Sequence, residues 1–374
     1  MQAVLDMSRL VAAHGHRVVL ATMDATDVPG DWGQSKPNVP DVVKLEASRM
    51  SSAWLSRSSL RTLAQLSQEA DLVHLHTPWD LCNVQIASML HKAGVPFVLT
   101  IHGMLDDYCM RQKAFKKNVF LKLFGRHLLR YATTVHFTAE AERDQALPWI
   151  PGKDRSVIQT CAIDLEPYEV LPGPQLALEA FPQIQPDSKK VLFLSRLHPK
   201  KGIELLLEAG AILRDRGQPV QLLIAGPGDG DYVQQLKALN GKLGLNGHSQ
   251  FLGMVRGAQK VSLYQAADVF VLPTYQENFG LVLAEAMAAA TPVVTTRGTD
   301  IWRELEQAGA KIVDSSSPSI ADAIETCLKD SSQRERVGQQ GREFVRQWLN
   351  KDRVFDGYEK IYRDTLEKHS REKS

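Results

Sequence analysis

Residues 268–292 read DVFVLPTYQENFGLVLAEAMAAATP. The apolar run 269–272 is short, β-branched in part and bounded by Asp268 and Pro273, which predicts a buried strand. A polar loop, 274–280, ends on Gly280, and the apolar run opened by Leu281, Val282 and Leu283 predicts a helix over 281–289. Pro292 precedes a second apolar and β-branched run, 293–296. Strand, helix and strand in this order form the crossover unit of a parallel sheet.

The same alternation continues outward. Upstream lie strand 191–195, helix 203–216, strand 221–225, helix 232–243, strand 249–252 and helix 260–266. Downstream are helices 318–327, 332–344 and 351–366. The first half repeats the pattern: helix 3–14, strand 17–22, loop 24–40, helix 58–70, strand 72–76, helix 83–93, strand 97–101, helix 113–132 and strand 134–138. Between the halves, Pro167, Pro172, Pro174, Pro182 and Pro186 interrupt the periodicity. The reading is α/β: a Rossmann-like domain over 1–165, a linker over 166–188, a second doubly wound domain over 189–348, and a C-terminal helix over 349–374 that packs back on the first. Two such domains are expected to face a cleft.

Composition narrows the function classes. The 374 residues carry 44 Lys or Arg against 43 Asp or Glu, so no global attraction to nucleic acid is expected. No apolar run reaches membrane-spanning length, and no basic-then-apolar leader stands at the N-terminus. Cys82, Cys109, Cys161 and Cys327 are scattered, which argues against disulfide or zinc scaffolds and favours a reducing compartment.

Two segments carry chemistry. In the opening stretch, Glu277 precedes a helix start and Glu285 lies within it, flanking N–H groups suited to an anion. Carboxylates accept sugar hydroxyls well. Read alone, the pair is also compatible with dipole compensation and a surface Glu. The second segment is FLSRLHPKKG, 193–202, where Arg196 follows a strand and Lys201 precedes a helix. Both lie on the ligand side of the sheet, and an Arg fork with a Lys point charge suits a diphosphate.

Together these segments resemble the retaining nucleotide-sugar glycosyltransferases of family 4, the group 1 transferases of GT-B fold. The resemblance covers nearly the whole chain and is densest over 189–300, where ENFGLVLAEAMAAATPVV holds the Glu277-x7-Glu285 spacing and IAGPGDGD (224–231) the glycine turn. It implies that Glu277 faces the donor sugar and Glu285 the ribose. Asn278, Phe279, Gly280 and Leu281 would then offer contacts near sugar and phosphates, Gly226 would line the donor site, and Arg196 and Lys201 would neutralise the diphosphate. In the first domain, TIHGM (100–104) matches the family's strand-end histidine, so His102 is expected beside the transferred sugar. The donor would be a nucleotide diphosphate-sugar, with no cofactor and no obligatory metal.

HGMLDDYCMRQKAFKK (102–117) resembles the branch that builds surface polysaccharide and lipopolysaccharide. From Arg111 to Arg130 the chain carries seven Lys or Arg and no acid, interleaved with Phe115, Val119, Phe120, Leu123 and Phe124. Such a segment suits an anionic membrane surface, with Arg111, Lys113, Lys116 and Lys117 on the acceptor or membrane side, or a core-facing helix with a solvated basic face. The resemblance implies a glycan or lipid-linked acceptor and a cytoplasmic enzyme peripheral at the inner face of the membrane. The His14/His16 and His74/His76 pairs lack the company a metal site needs.

Three rivals have less support. A glycosidase needs two carboxylates facing across one bond. A nicotinamide enzyme needs G-x-G-x-x-G, and GPGDGD has other spacing. A non-catalytic nucleotide-sugar binder follows from two departures. The family's Asn-Gly before a Val/Ile-Asp pair is here Thr160-Cys161-Ala162-Ile163-Asp164. The family's first strand and glycine loop also precede the first helix, whereas Met1 already stands in it; the first domain is therefore expected to lack its first strand, as in a truncated reading frame.

Overall fold

The computed structural model describes residues 2–34 and 36–373. The chain forms two compact units: residues up to Ile163 together with Leu349 onward, and Asp164–Trp348.

The C-terminal unit is built on a parallel sheet in the order Ser249–Gly253, Gln221–Ala225, Lys190–Leu194, Val269–Leu272, Val293–Thr296, Lys311–Val313. Numbered by sequence within the unit, this is 3-2-1-4-5-6, the doubly wound dinucleotide-binding order. Its central strands are apolar on both faces because helices cover both: Val191, Leu192, Phe193, Phe270 and Val271 have no exposed surface. The proline-rich stretch expected as a linker over 166–188 instead carries helix Gln175–Ala180. That helix packs on helix Gly257–Ala266, with the Ala177 N–H donating to Ser262 Oγ at 2.9 Å. Ala177 and Ile184 supply the buried side chains that fasten it, so the stretch belongs to the C-terminal unit.

The N-terminal unit has a parallel sheet in the order Val73–His76, Phe97–Thr100, Thr134–Phe137, Ser156–Ile158. Val19–Thr22 and Asp41–Lys44 form a separate parallel pair, and Ala47–Ser48 with Ser51–Leu55 a small antiparallel one. Helix Gln2–Ala13 packs on the C-terminal helix Lys351–Lys373 through Met7, Val11, Val354 and Tyr358. The basic segment expected as one helix over 113–132 is three: Ala114–Phe120, a wide π turn over Leu121–Gly125, and Arg126–Tyr131. The π turn admits one extra residue, which brings Leu121 and Gly125 together on the buried side; a Cβ on Gly125 would lie 2.7 Å from Leu121 Cδ2.

Candidate active site

In the C-terminal unit, strands Lys190–Leu194 and Val269–Leu272 are neighbours at the point where strand order reverses. Ligands of open α/β sheets bind outside the carboxyl ends of the strands at such a point. The loops leaving this edge are stitched together by backbone. Ser195 N–H donates to Ala225 O (3.1 Å) and Leu197 N–H to Pro227 O (2.7 Å). Tyr275 N–H and Thr274 Oγ1 both donate to Lys200 O, at 2.8 and 3.0 Å. Two glycines make these approaches possible. Gly226 stands at φ +134°, and a Cβ there would sit 1.8 Å from Ser195 O; at Gly202, φ +66°, it would sit 2.1 Å from Pro273 O.

Arg196, Lys201, Glu277 and Gly280, singled out along the sequence, therefore gather at one sheet edge. Lys201 is 3% exposed and its amine contacts the Glu277 carboxylate. Burial, aided by the positive charges of Lys200 and Arg196, pushes the Lys201 amine down to about 7. Arg196 is exposed, and its guanidinium has no hydrogen-bond or ion-pair partner among the described residues. Glu277 is held by its backbone: its N–H donates to Gly298 O (2.8 Å) and its carbonyl accepts from Asp300 N–H (3.0 Å). Asn278 Nδ2 donates to Asp300 Oδ2 at 3.1 Å. Gly280, at φ +66°, caps helix Leu281–Ala288, whose first turn presents N–H groups beside this loop. Phe279 stacks on Trp348 with ring centroids 5.5 Å apart, so its ring is committed to packing and its backbone is what remains for a ligand.

Glu285 lies one turn further on and is already engaged. Lys260 Nζ donates to Oε1 at 2.7 Å and Tyr264 OH to Oε2 at 2.9 Å. Burial together with the Glu285 charge raises the Tyr264 phenol well above its usual range, so it stays a donor. Lys260, Tyr264 and Asp300 were not foreseen from the sequence. They reach the site from other elements, and no local spacing marks them.

In the N-terminal unit His102 follows strand Phe97–Thr100 with φ +54°. Its Nε2 lies 3.0 Å from Nδ1 of His76, and the rings are near-parallel with centroids 5.2 Å apart. His74 Nε2 and His136 Nδ1 both meet Thr100 Oγ1, at 2.6 and 2.8 Å. Burial keeps all four rings neutral, with neighbouring histidines adding to it at His74, His76 and His102: His102 and His136 are pushed down to about 4, and His74 and His76 well below the usual range. Among the basic residues, Arg111, Lys113 and Lys116 are exposed, whereas Lys117 turns inward, its amine over the Trp79 ring at 5.3 Å.

Residues 2–159 match the family described as glycosyl transferase 4-like domain, and residues 175–344 that described as glycosyl transferases group 1. A phosphatidyl-myo-inositol mannosyltransferase of Mycobacterium leprae is 39% identical over 356 residues, covering 92% of this chain and 87% of the relative. A D-inositol 3-phosphate glycosyltransferase of Corynebacterium urealyticum is 36% identical over 192 residues, 49% of this chain and 45% of the relative. Among solved structures, HepE of Anabaena in complex with UDP and glucose matches with a TM-score of 0.76 at 18% identity, covering 96% of this chain and 95% of that one. Sucrose-phosphate synthase from Thermosynechococcus elongatus gives 0.75 at 22%, covering 96% and 92%. At these identities the structural likeness is one of fold, and the fold is GT-B.

Proposed function

The chain belongs to the group 1 glycosyltransferases, enzymes that draw hexosyl groups from nucleotide sugars, and on that premise we propose that it transfers its sugar to a hydroxyl acceptor with retention at the anomeric carbon. The observation that carries the reading is the cationic, N–H-rich edge made by Arg196, Lys201 and the helix start at Leu281, with Glu277 in contact with Lys201. A diphosphate arriving there competes with Glu277 for the Lys201 amine and frees the carboxylate for the sugar. Cations and dipoles in place before reaction stabilise the leaving diphosphate, so an obligatory metal is not needed. Glu285, held by Lys260 and Tyr264, is assigned to the ribose hydroxyls. His102 is assigned to the transferred sugar, and Asn278, Phe279, Gly280 and Gly226 to backbone contacts around the donor. In the transfer, the bond from the anomeric carbon to phosphate oxygen breaks. The acceptor oxygen bonds that carbon from the same face, and its proton passes to the departing phosphate oxygen.

The names of the inositol-directed relatives favour a polyol or lipid-borne acceptor over a free monosaccharide, within surface glycolipid or polysaccharide assembly on the cytoplasmic side. A second observation supports a membrane-borne acceptor. Phe115, Val119 and Leu123 are 82%, 40% and 57% exposed, spaced four apart along a segment flanked by Lys116, Lys122 and Arg126. Among the described residues no helix is long and apolar enough to cross a membrane, so this contact is a surface one.

The test begins with a thermal-shift screen of uridine, guanosine and adenosine diphosphate sugars, since a true donor raises the melting temperature by mass action. Proton NMR of the first-formed product with the selected donor then reads the anomer. An α donor giving an α product is expected; a β product overturns retention, and absence of any stabilising nucleotide overturns the donor assignment. For the membrane reading, co-sedimentation with phosphatidylglycerol vesicles is expected to weaken in Phe115→Ser and Leu123→Ser, and equal binding to neutral vesicles would count against it.

A further inference from the structure

Strands Val73–His76 and Phe97–Thr100 end side by side, and each leads into a non-glycine residue in the left-handed region. These are Thr77 at φ +76° and His102 at φ +54°. Such residues persist only where surrounding structure over-determines them, and they gather at functional sites. Each is pinned by a side chain from a helix. Asn83 Nδ2 donates to His76 O at 2.6 Å and Thr77 O at 3.0 Å. Glu142, with no exposed surface, accepts from Gly103 N–H at 2.6 Å through Oε1. Its Oε2 accepts from Thr138 N–H at 2.7 Å and Thr138 Oγ1 at 2.8 Å.

The bond to Thr138 has a local explanation. Glu142 lies in the first turn of helix Glu140–Ala146, and a Thr–Glu pair four apart at a helix entry satisfies donors there. That duty takes only one oxygen. The other is directed at a residue distant in sequence, the N–H immediately after His102. A buried carboxylate is costly unless its lone pairs are met by donors, and charge-assisted bonds are the stronger kind. The Gly103 N–H is thus fixed more firmly than a neutral acceptor would fix it, and the turn that carries the His102 ring is fixed with it.

We propose that Glu142 and His76 are the positioning residues for His102: Glu142 clamps the turn from which the ring projects, and His76 sets its tautomer through the Nδ1 to Nε2 contact. The proposal rests on the reading that His102 serves the transferred sugar. Neither residue touches substrate in this scheme; both act through the imidazole. With both rings neutral, one proton lies between them, so the tautomer held at His76 fixes which nitrogen of His102 is protonated.

Two measurements test it. The first does not depend on turnover: long-range 15N NMR of histidine-labelled protein at neutral pH reports ring tautomers. His102, assigned with the His102→Ala variant, is expected in one tautomer in the parent chain. Glu142→Gln and His76→Leu are expected to give a mixture or to shift the ring resonances, with His76→Asn, whose amide can stand near the Nδ1 position, restoring the single form. An unchanged His102 signal in both Glu142→Gln and His76→Leu overturns the proposal. The second is a kinetic cycle using UDP-glucose or GDP-mannose, whichever stabilises the chain. Glu142→Gln is expected to lower kcat at least tenfold with donor KM within about twofold, and to have little further effect when His102→Ala is already present. Equal losses in both backgrounds overturn action through His102. Should His102→Ala itself turn over like the parent, the functional reading of His102 fails while the NMR result still judges the positioning. If Glu142→Gln does not fold, the His76 pair carries both tests.

Discussion

At the residue scale, the proposed donor edge depends on charges that hold one another. Glu285 has two partners on another helix, Lys260 and Tyr264, and all three are largely shielded from water. Removing one partner of such a group leaves a poorly solvated charge, at a cost of about 1–3 kcal/mol. Lys260→Met is therefore expected to lower the melting temperature, and Lys260→Met with Glu285→Gln to recover part of the loss. Additive losses in chemical denaturation would show that the two side chains are not coupled. Glu277→Gln is expected to reduce transfer about a hundredfold or more while leaving the fold intact by circular dichroism, because the backbone bonds of this residue to Gly298 and Asp300 persist when the carboxylate contact with Lys201 is lost. Arg196, Lys201, Glu277 and Gly280 were legible in the sequence because each sits at a strand end or helix start, and local pattern finds strand ends. Lys260, Tyr264, Asp300 and Glu142 were not, because only the packing of distant elements delivers them.

At the element scale, two features have measurable consequences. Helix Ser331–Trp348 crosses the end of helix Leu281–Ala288 at Gly338, where a Cβ would lie 2.1 Å from Ala290 O. Arg342 Nη1 donates to Ala288 O at the same crossing. Gly338→Ala must push the two helices apart, and overpacking of this kind costs about 1–3 kcal/mol. Differential scanning calorimetry is expected to show a fall of several degrees, with weaker nucleotide binding because the displaced helix is the one that starts at the donor edge. The second feature is the line of histidines on, or just beyond, three adjacent strands of the N-terminal unit. His74, His76, His102 and His136 are neutral when folded because burial depresses them, yet each titrates near 6.5 when unfolded. The unfolded chain thus binds more protons below that pH. Stability is full above about 6.5 and is lost as pH falls toward 4, by up to about 1.4 kcal/mol per pH unit for each ring. Urea melts at pH 7.5 and 5.0 are expected to differ accordingly, and equal midpoints would mean the rings are not held neutral. The elements themselves were legible wherever apolar periodicity ran long. The strands Ser156–Ile158 and Lys311–Val313 and the pairing of Ala47–Ser48 with Ser51–Leu55 were missed, since two- to five-residue strands with partly polar sequences carry too little pattern. The π turn over Leu121–Gly125 was missed as well, because its apolar spacing reads as that of an ordinary helix.

At the scale of the whole molecule, the chain returns to its beginning. The last helix, Lys351–Lys373, belongs with the N-terminal unit although 185 residues of the other unit, Asp164–Trp348, intervene. It buries Val354, Phe355, Tyr358 and Ile361, and its Thr365 Oγ1 meets Thr134 Oγ1 at 2.7 Å on a central strand. At about 1.5–3 kcal/mol for each large apolar side chain withdrawn from water, the four contribute roughly 6–12 kcal/mol. That is as large as the entire net stability of an ordinary domain, about 5–15 kcal/mol. Ending the chain at Leu349 is therefore expected to unfold the N-terminal unit and spare the other, whose core of Val191, Leu192, Phe270 and Val294 uses nothing from the last helix. Calorimetry of the shortened chain should lose the transition belonging to the N-terminal unit. Nucleotide binding, proposed to draw on Arg196, Lys201 and Glu285 in the surviving unit, should persist, while transfer, for which His102 is proposed, should vanish. Retained transfer by the shortened chain would show that the last helix is dispensable for the first unit. Loss of nucleotide binding together with transfer would show that the stability of the donor edge is not its own.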